Sequence, residues 1–264
     1  MPDFREKLSK VKCFLLDMDG TVYLGNKLIG DMKNTLSSIR NSGRRIVFLT
    51  NNSSKSAETY REKLRKLDIY DEADDIFTSG MATVEYLSEN HPNKSVYLVG
   101  TDALKEEWKK AGVPLTEGKA DIAVLAFDTT LTYEKLCKLT DLIQGGAEFI
   151  ATHPDLVCPA EGFSIPDVGS MLEMVYLATG RRPSVICGKP YEAMGKAVAR
   201  FLGLKKEELL MAGDRLHTDI AFGVKNGFFS LLVYSGEATR EDYEKCGMTV
   251  DLALNSLNDI VEYL

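Results

Sequence analysis

Short apolar runs alternate with amphipathic stretches at both ends of this chain, and that alternation restricts its fold more than any other feature. KCFLLD is followed by a helical pattern over residues 31–41, then RIVFLT, then a second helical pattern over 55–67. Toward the other end ELLMAGD, residues 219–226, FFSLLVY, residues 240–246 and a last helical stretch over 257–263 repeat the rhythm. Such alternation marks βαβ units on a parallel sheet whose strands are covered on both faces. The two ends therefore predict the halves of one α/β, doubly wound parallel sheet.

Between them the chain carries a set of elements of its own: strands in SVYLVG, DIAVLAF and AEFIAT, and helices near 103–111 and 133–144. The flanking TSGMA and ATGRRPS hold the Gly, Ser and Pro common at domain joins. The expected organisation is a core domain of residues 1–80 and 183–264, interrupted by an inserted domain of residues 81–182.

Composition narrows the partners. Of 264 residues 44% are hydrophobic and 27% charged, the balance of an ordinary globular protein. The net charge of −7 argues against nucleic acid, whose phosphate backbone needs a broad basic face. No apolar run approaches the roughly 18 to 20 residues that span a bilayer, and the start MPDFREKLSKVK is too charged for a signal-peptide core. No membrane association and a cytoplasmic location are expected. Five widely spaced cysteines, mostly among apolar neighbours, suit reduced packing residues better than a disulfide framework or a zinc site.

Three expected core strands end on a polar residue: Asp17 after CFLL, Thr50 after VFL and Asp214 after LLMAG. Ligands of open α/β sheets bind beyond the carboxyl ends of the strands, so these residues should meet. In Asp17-Met18-Asp19-Gly20-Thr21 two acids are separated by one residue and Gly20 permits a tight turn; alone, they read better as solvated loop acids than as a site. Thr50-Asn51-Asn52-Ser53-Ser54 places hydroxyls, amides and free N–H groups where a helix start would favour an anion, or a simple cap. Gly188-Lys189-Pro190 is not a nucleotide-binding P-loop, because Pro190 replaces the required Ser or Thr and no glycine stands five residues earlier. With Pro190 at a helix's first position, Lys189 would lie at the mouth of the sheet. Gly213 to Asp219 supplies two carboxylates across a strand-to-helix turn, an oxygen-rich set suited to Mg²⁺.

Taken together, DMDGT, LTNN, GKP and GDRLHTD, in this order and spacing, resemble the four motifs of the haloacid dehalogenase-like (HAD) hydrolase superfamily. The insertion, with LAFDTTLTYEKL, ATHPDLVCP and GSMLEMVYLATGRRP, resembles the class-II cap of the 4-nitrophenylphosphatase branch. The resemblance implies a Rossmann-like core with an α/β cap and a Mg²⁺-dependent phosphatase acting on a small phosphorylated metabolite. Asp17 would be the nucleophile and Asp19 the acid and base. Thr50, Asn51, Asn52 and Lys189 would hold the phosphoryl group. The metal would be bound by Asp17, the main-chain carbonyl of Asp19 and Asp214, with Asp219 standing behind them. The loop over 152–169 would touch the leaving group. It departs from the commoner pattern of the branch at His153, where Asn is usual, and at Asp167, where Gly is usual. A hydrogen-bonded loop histidine is the expected reading of His153, a solvent-facing one that of His217, and Trp108 and residues 171–174 are expected to pack.

Three other readings share these residues: a phosphomutase or phosphotransferase with a sugar acceptor, a signalling receiver phosphorylated on aspartate, and a noncatalytic binder. The insertion and Asp19 count against a receiver, because an acid two residues after the nucleophile promotes hydrolysis of a phosphoryl switch. The physiological substrate and any homo-oligomer are left open.

Overall fold

The structure, a computed structural model, describes residues 4–160 and 162–264. Met1 to Asp3 of the charged start and Glu161 of the 152–169 loop lie outside them. The chain divides into two compact units: Met1–Thr50, Glu58–Phe77 and Lys189–Leu264 in one, Asn51–Ala57 and Thr78–Gly188 in the other.

The first unit is built on a six-stranded sheet in the order Leu252–Leu254, Phe229–Val233, Leu209–Gly213, Cys13–Leu16, Arg45–Thr50, Asp75–Thr78. The strand Cys13–Leu16 runs parallel to both of its neighbours, with Leu16 opposite Ala212 on one side and Phe48 on the other. All four of its residues are fully buried, which is why the run is continuously apolar rather than alternating. The connection to Arg45–Thr50 leaves on one side while the strand Leu209–Gly213 lies on the other, so the order reverses at Cys13–Leu16. This is the switch point beyond which a doubly wound sheet binds its ligand. The register carries Asp17, Thr50 and Asp214 to that same edge, and Asp17 N–H donates to Ala212 O at 2.9 Å.

The expected helix over 31–41 is Met32–Asn41, with Asp31 as its cap accepting from Asn34 N–H. The segment following LTNN is different from expectation. Residues 51–56 are loop and the helix begins only at Ala57, because Asn52 folds back to accept from Ser54 N–H and Oγ and competes with a helical start. Pro190 does not open a helix either. The Lys189–Pro190 peptide is cis and the helix runs Glu192–Leu202. After Asp214 the chain makes a π-helical turn, Leu216–Ile220, before the short helix Ala221–Asn226.

The second unit has a parallel four-stranded sheet in the order Val185–Ile186, Glu148–Ala151, Ile122–Leu125, Val96–Val99. Helices Tyr133–Gln144 and Val168–Thr179 contribute Leu139, Ile143, Val168, Met171 and Val175 to its core. TSGMA stands at the start of this unit's long segment, where Thr78 caps a twelve-residue helix, Ser79–Asn90, by accepting from Met81 N–H. Trp108 is fully buried, as packing requires, whereas Met174 is exposed. Among the described residues no helix is long and apolar enough to cross a membrane.

Candidate active site

Asp17 leaves the central strand half-buried, and Asp19, two residues on, is exposed. Between Asp19 and the strand Tyr23–Leu24 the chain reverses, with Gly20 N–H donating to Tyr23 O at 2.8 Å. Gly20 has φ +90°, and a Cβ on it would lie 2.2 Å from Asp214 Oδ2. Both facts demand glycine: the backbone is in the left-handed region, and the Asp214 carboxylate occupies the space a side chain would need.

Lys189 is 1% exposed, one of the largest wholly buried side chains of the protein. Its ammonium lies 2.6 Å from Asp17 Oδ1 and 2.7 Å from Asp219 Oδ1, and donates to Leu49 O at 3.4 Å. Burial alone would pull its pKa down; the Asp17 and Asp219 carboxylates overcome that and hold it above its ordinary value. The ammonium is therefore charged throughout the physiological range.

The acids around it are crowded. Asp17, Asp214 and Asp219 each offer a carboxylate oxygen within 4.8 Å of the others. Burial first, then the Asp219 charge, push Asp17 up to about 8 against the pull of Lys189. The same two causes raise Asp214 to about 6. Fully ionised, three carboxylates and one ammonium leave an excess of two negative charges, which a divalent cation would cancel. The donors are all oxygen, as a hard cation prefers.

The oxygens are not equivalent. Asp219 is spent on the protein, with Oδ1 on Lys189 and Oδ2 accepting from Arg215 N–H at 3.1 Å, which suits the place behind the ligands expected for it. Asp214 accepts from Glu237 N–H on Oδ2 at 2.7 Å and makes only a long 3.4 Å contact with Thr21 Oγ1 on Oδ1. The carboxylate of Asp19 makes no hydrogen bond or ion pair with any described residue.

Of the residues singled out by sequence, Asp17, Asp214, Asp219 and Lys189 are brought into direct contact or within reach of one cation, with Thr50 at the end of the neighbouring strand. The Asn51 and Asn52 side chains are engaged within the second unit: Asn51 Nδ2 donates to Asp155 Oδ1 at 3.1 Å, and Asn52 Oδ1 is held by Ser54. His217 is exposed. Thr21, Ser235 and Glu237 were not foreseen. Their signal was weak, a Ser-Gly turn after FFSLLVY that reads as an ordinary loop.

In the second unit the two unusual residues of the 152–169 loop meet each other. His153 is fully buried, its Nε2 lying 2.8 Å from Asp167 Oδ1 and its Nδ1 3.0 Å from Thr152 Oγ1 and 3.4 Å from Ser79 Oγ. Asp167 also caps the helix Val168–Thr179 through Val168 N–H. An imidazole at one position and a carboxylate at the other make one hydrogen bond, so neither is an isolated departure.

Known proteins resemble this chain in sequence and in fold. A haloacid dehalogenase-like hydrolase family model matches residues 14–114 and a HAD-hydrolase-like model matches residues 186–260. The acid sugar phosphatase of Staphylococcus epidermidis is 34% identical over 248 residues, covering 94% of this chain and 95% of its own. Among solved structures, 4-nitrophenylphosphatase from Thermotoga maritima superposes with a TM-score of 0.92 at 38% identity, covering 97% of this chain and 98% of that one. The p-nitrophenyl phosphatase from Archaeoglobus fulgidus gives 0.88 at 31%, covering 96% and 99%. Sequence identity at this level over nearly the whole length, with the acids and the lysine converging at the switch point of the sheet, places the chain in the haloacid dehalogenase-like hydrolase family, in the branch of its 4-nitrophenylphosphatases and acid sugar phosphatases.

Proposed function

We propose that the protein hydrolyses small phosphomonoesters, sugar phosphates among them, through a phosphoryl group carried on Asp17. The observation that supports this most directly is the buried Lys189 ammonium set against Asp17 Oδ1, which leaves Oδ2 of a half-buried carboxylate to face a substrate. Oδ2 attacks phosphorus in line and the ester P–O bond breaks. Asp19, exposed and unengaged, protonates the departing oxygen. In the second step Asp19 takes a proton from water, whose oxygen attacks the aspartyl phosphate; the Asp17 carboxylate and inorganic phosphate are released. Lys189 keeps Asp17 oriented and offsets charge on the phosphoryl oxygens. Thr50 and the main-chain N–H groups of Asn51 and Asn52 are assigned to those oxygens, since the two amide side chains are occupied elsewhere.

Mg²⁺ fits the oxygen donors, and Asp17, the main-chain carbonyl of Asp19 and Asp214 are the residues proposed to hold it. When bound it neutralises the excess negative charge, without which each pair of like unit charges about 4 Å apart on carboxylate and phosphate would repel by about 4 kcal/mol at an effective dielectric near 20. The unit of residues 51–57 and 78–188 is proposed to act as the cap that selects the leaving group, and a small phosphorylated metabolite in the cytoplasm is the proposed partner.

The direct test is phosphate release from 4-nitrophenyl phosphate and a panel of sugar phosphates, with Mg²⁺ and with chelator. Release that depends on Mg²⁺ is expected; its absence in folded protein throughout the panel would reject hydrolysis in favour of phosphoryl transfer to another acceptor.

Stability should report the same charges. An unfolded Asp titrates near 3.9, whereas in the metal-free fold Asp17 and Asp214 are raised to about 8 and about 6. Their contribution is full below the unfolded value and lost as pH rises through the folded values. Melting in chelator should therefore fall between about pH 4 and pH 8, and the rise in melting temperature on adding Mg²⁺ should grow over the same window. An increment independent of pH would count against these carboxylates as the ligands.

A further inference from the structure

We infer that the turn Ser235-Gly236-Glu237 is a positioning element of the cation site: it fixes the Asp214 carboxylate and the Asp19–Gly20 turn before a cation arrives, and so sets cation affinity. The inference rests on the assignment of Asp17, Asp19 and Asp214 as ligands. The turn follows the strand Phe229–Val233, which pairs in parallel with Leu209–Gly213, so it emerges beside Asp214 at the same edge of the sheet.

Three hydrogen bonds tie it down. Ser235 Oγ donates to Gly20 O at 2.7 Å, Glu237 N–H donates to Asp214 Oδ2 at 2.7 Å, and Ala238 N–H donates to the main-chain oxygen of Asp214 at 3.1 Å. Every donor is directed at the two loops that carry ligands. A Cβ on Gly236 would lie 1.9 Å from Asp214 Oδ2 and 2.5 Å from its Cγ, and one on Gly20 would lie 2.2 Å from the same Oδ2. The carboxylate thus stands between two glycines and cannot turn freely. One acceptor site of Oδ2 is taken by the Glu237 amide, which leaves the others to a cation.

The turn is itself anchored. Ala238 is buried, packing in a cluster with Leu216, Ile220 and Leu232, and the Arg215 guanidinium next to Asp214 lies 3.1 Å from Glu237 Oε2. That ion pair is too exposed to add much energy, but the apolar anchor keeps the turn from adapting. Partners that orient metal ligands in this way alter metal affinity by about 10- to 100-fold when removed.

The test compares wild type, Ser235→Ala, Gly236→Ala and Asp214→Asn. Melting temperature is read in chelator and across a Mg²⁺ titration to give an apparent Kd, alongside KM for the ester at saturating Mg²⁺. Ser235→Ala should weaken Mg²⁺ binding by about 3- to 10-fold and Gly236→Ala by about 100-fold, the effect falling on the Mg²⁺ Kd rather than on KM for the ester. A purely structural role would lower melting in chelator and leave the Mg²⁺ Kd alone. An unaltered Kd in both variants, with Asp214→Asn losing its Mg²⁺ response, would overturn the positioning role and spare the ligand assignment. A Mg²⁺ response in Asp214→Asn equal to wild type would overturn both. If Gly236→Ala does not fold, the Kd of Ser235→Ala decides.

Discussion

Asp17→Asn is expected to lower turnover of 4-nitrophenyl phosphate by at least about 10³-fold while the protein stays folded, the scale of loss when a nucleophile is removed. The amide keeps the size and shape of the carboxylate, and its oxygen still accepts from Lys189, so the 2.6 Å contact survives in kind. What disappears is the oxygen that can bond to phosphorus and one negative charge from a crowded cluster. Because burial and Asp219 already disfavour the ionised form of Asp17, the variant in chelator should melt no lower than wild type, and Mg²⁺ should stabilise it less. Near-normal turnover, checked by phosphate release under saturating Mg²⁺, would remove Asp17 from the chemistry.

Lys189→Met is expected to lose activity and stability together. Methionine reproduces the length of the buried stem, so the packing changes little. The ammonium between Asp17 and Asp219 is gone, and Asp219 is fully buried. Removing one partner of a buried pair costs about 3–5 kcal/mol, because the remaining charge is left unpaired; at about 2–4 °C per kcal/mol the melting temperature should fall by roughly 10 °C. The loss should shrink as pH is lowered, since protonating Asp17, which burial already holds well above the usual carboxylate range, removes one of the unpaired charges. That recovery separates charge from packing: a drop in melting temperature equal at every pH would mean that the lysine acts as filler. In turnover the variant should lose about 10²-fold or more, the scale of removing one preorganised electrostatic contact, and an unchanged kcat/KM would exclude Lys189 from the site.

The parallel core was legible because its signal is local. A strand buried on both faces must be apolar throughout, and CFLL, RIVFL and LLMAG have the length and the flanking amphipathic segments of βαβ units. The polar residue ending each run could be read the same way, since a sheet of known handedness brings strand ends to one edge. The elements misread lie where a local preference loses to a distant or competing bond. The Asn52 side chain takes the N–H and hydroxyl of Ser54 and delays the helix to Ala57. TSGMA stands where the second unit resumes, as its composition suggested, and what the composition did not show is that the Thr78 hydroxyl caps a helix there.

By its pattern and motifs the sequence alone determined the architecture and the chemical types gathered at the sheet edge: two offset acids, a hydroxyl, a lysine and a second acidic pair. Periodicity and strand-end placement are properties of contiguous residues, and one chain contains them in full. Tertiary structure alone decided how those groups divide their work. That Asp219 spends both oxygens on Lys189 and Arg215 while Asp214 stands between Gly20 and Gly236 depends on residues as far as 216 positions apart. That His153 and Asp167 answer each other across fourteen positions is likewise a matter of register and turn geometry. Hydrogen-bond partners of a buried carboxylate are chosen by whatever packing brings within about 3 Å, and no local pattern in the chain records that distance.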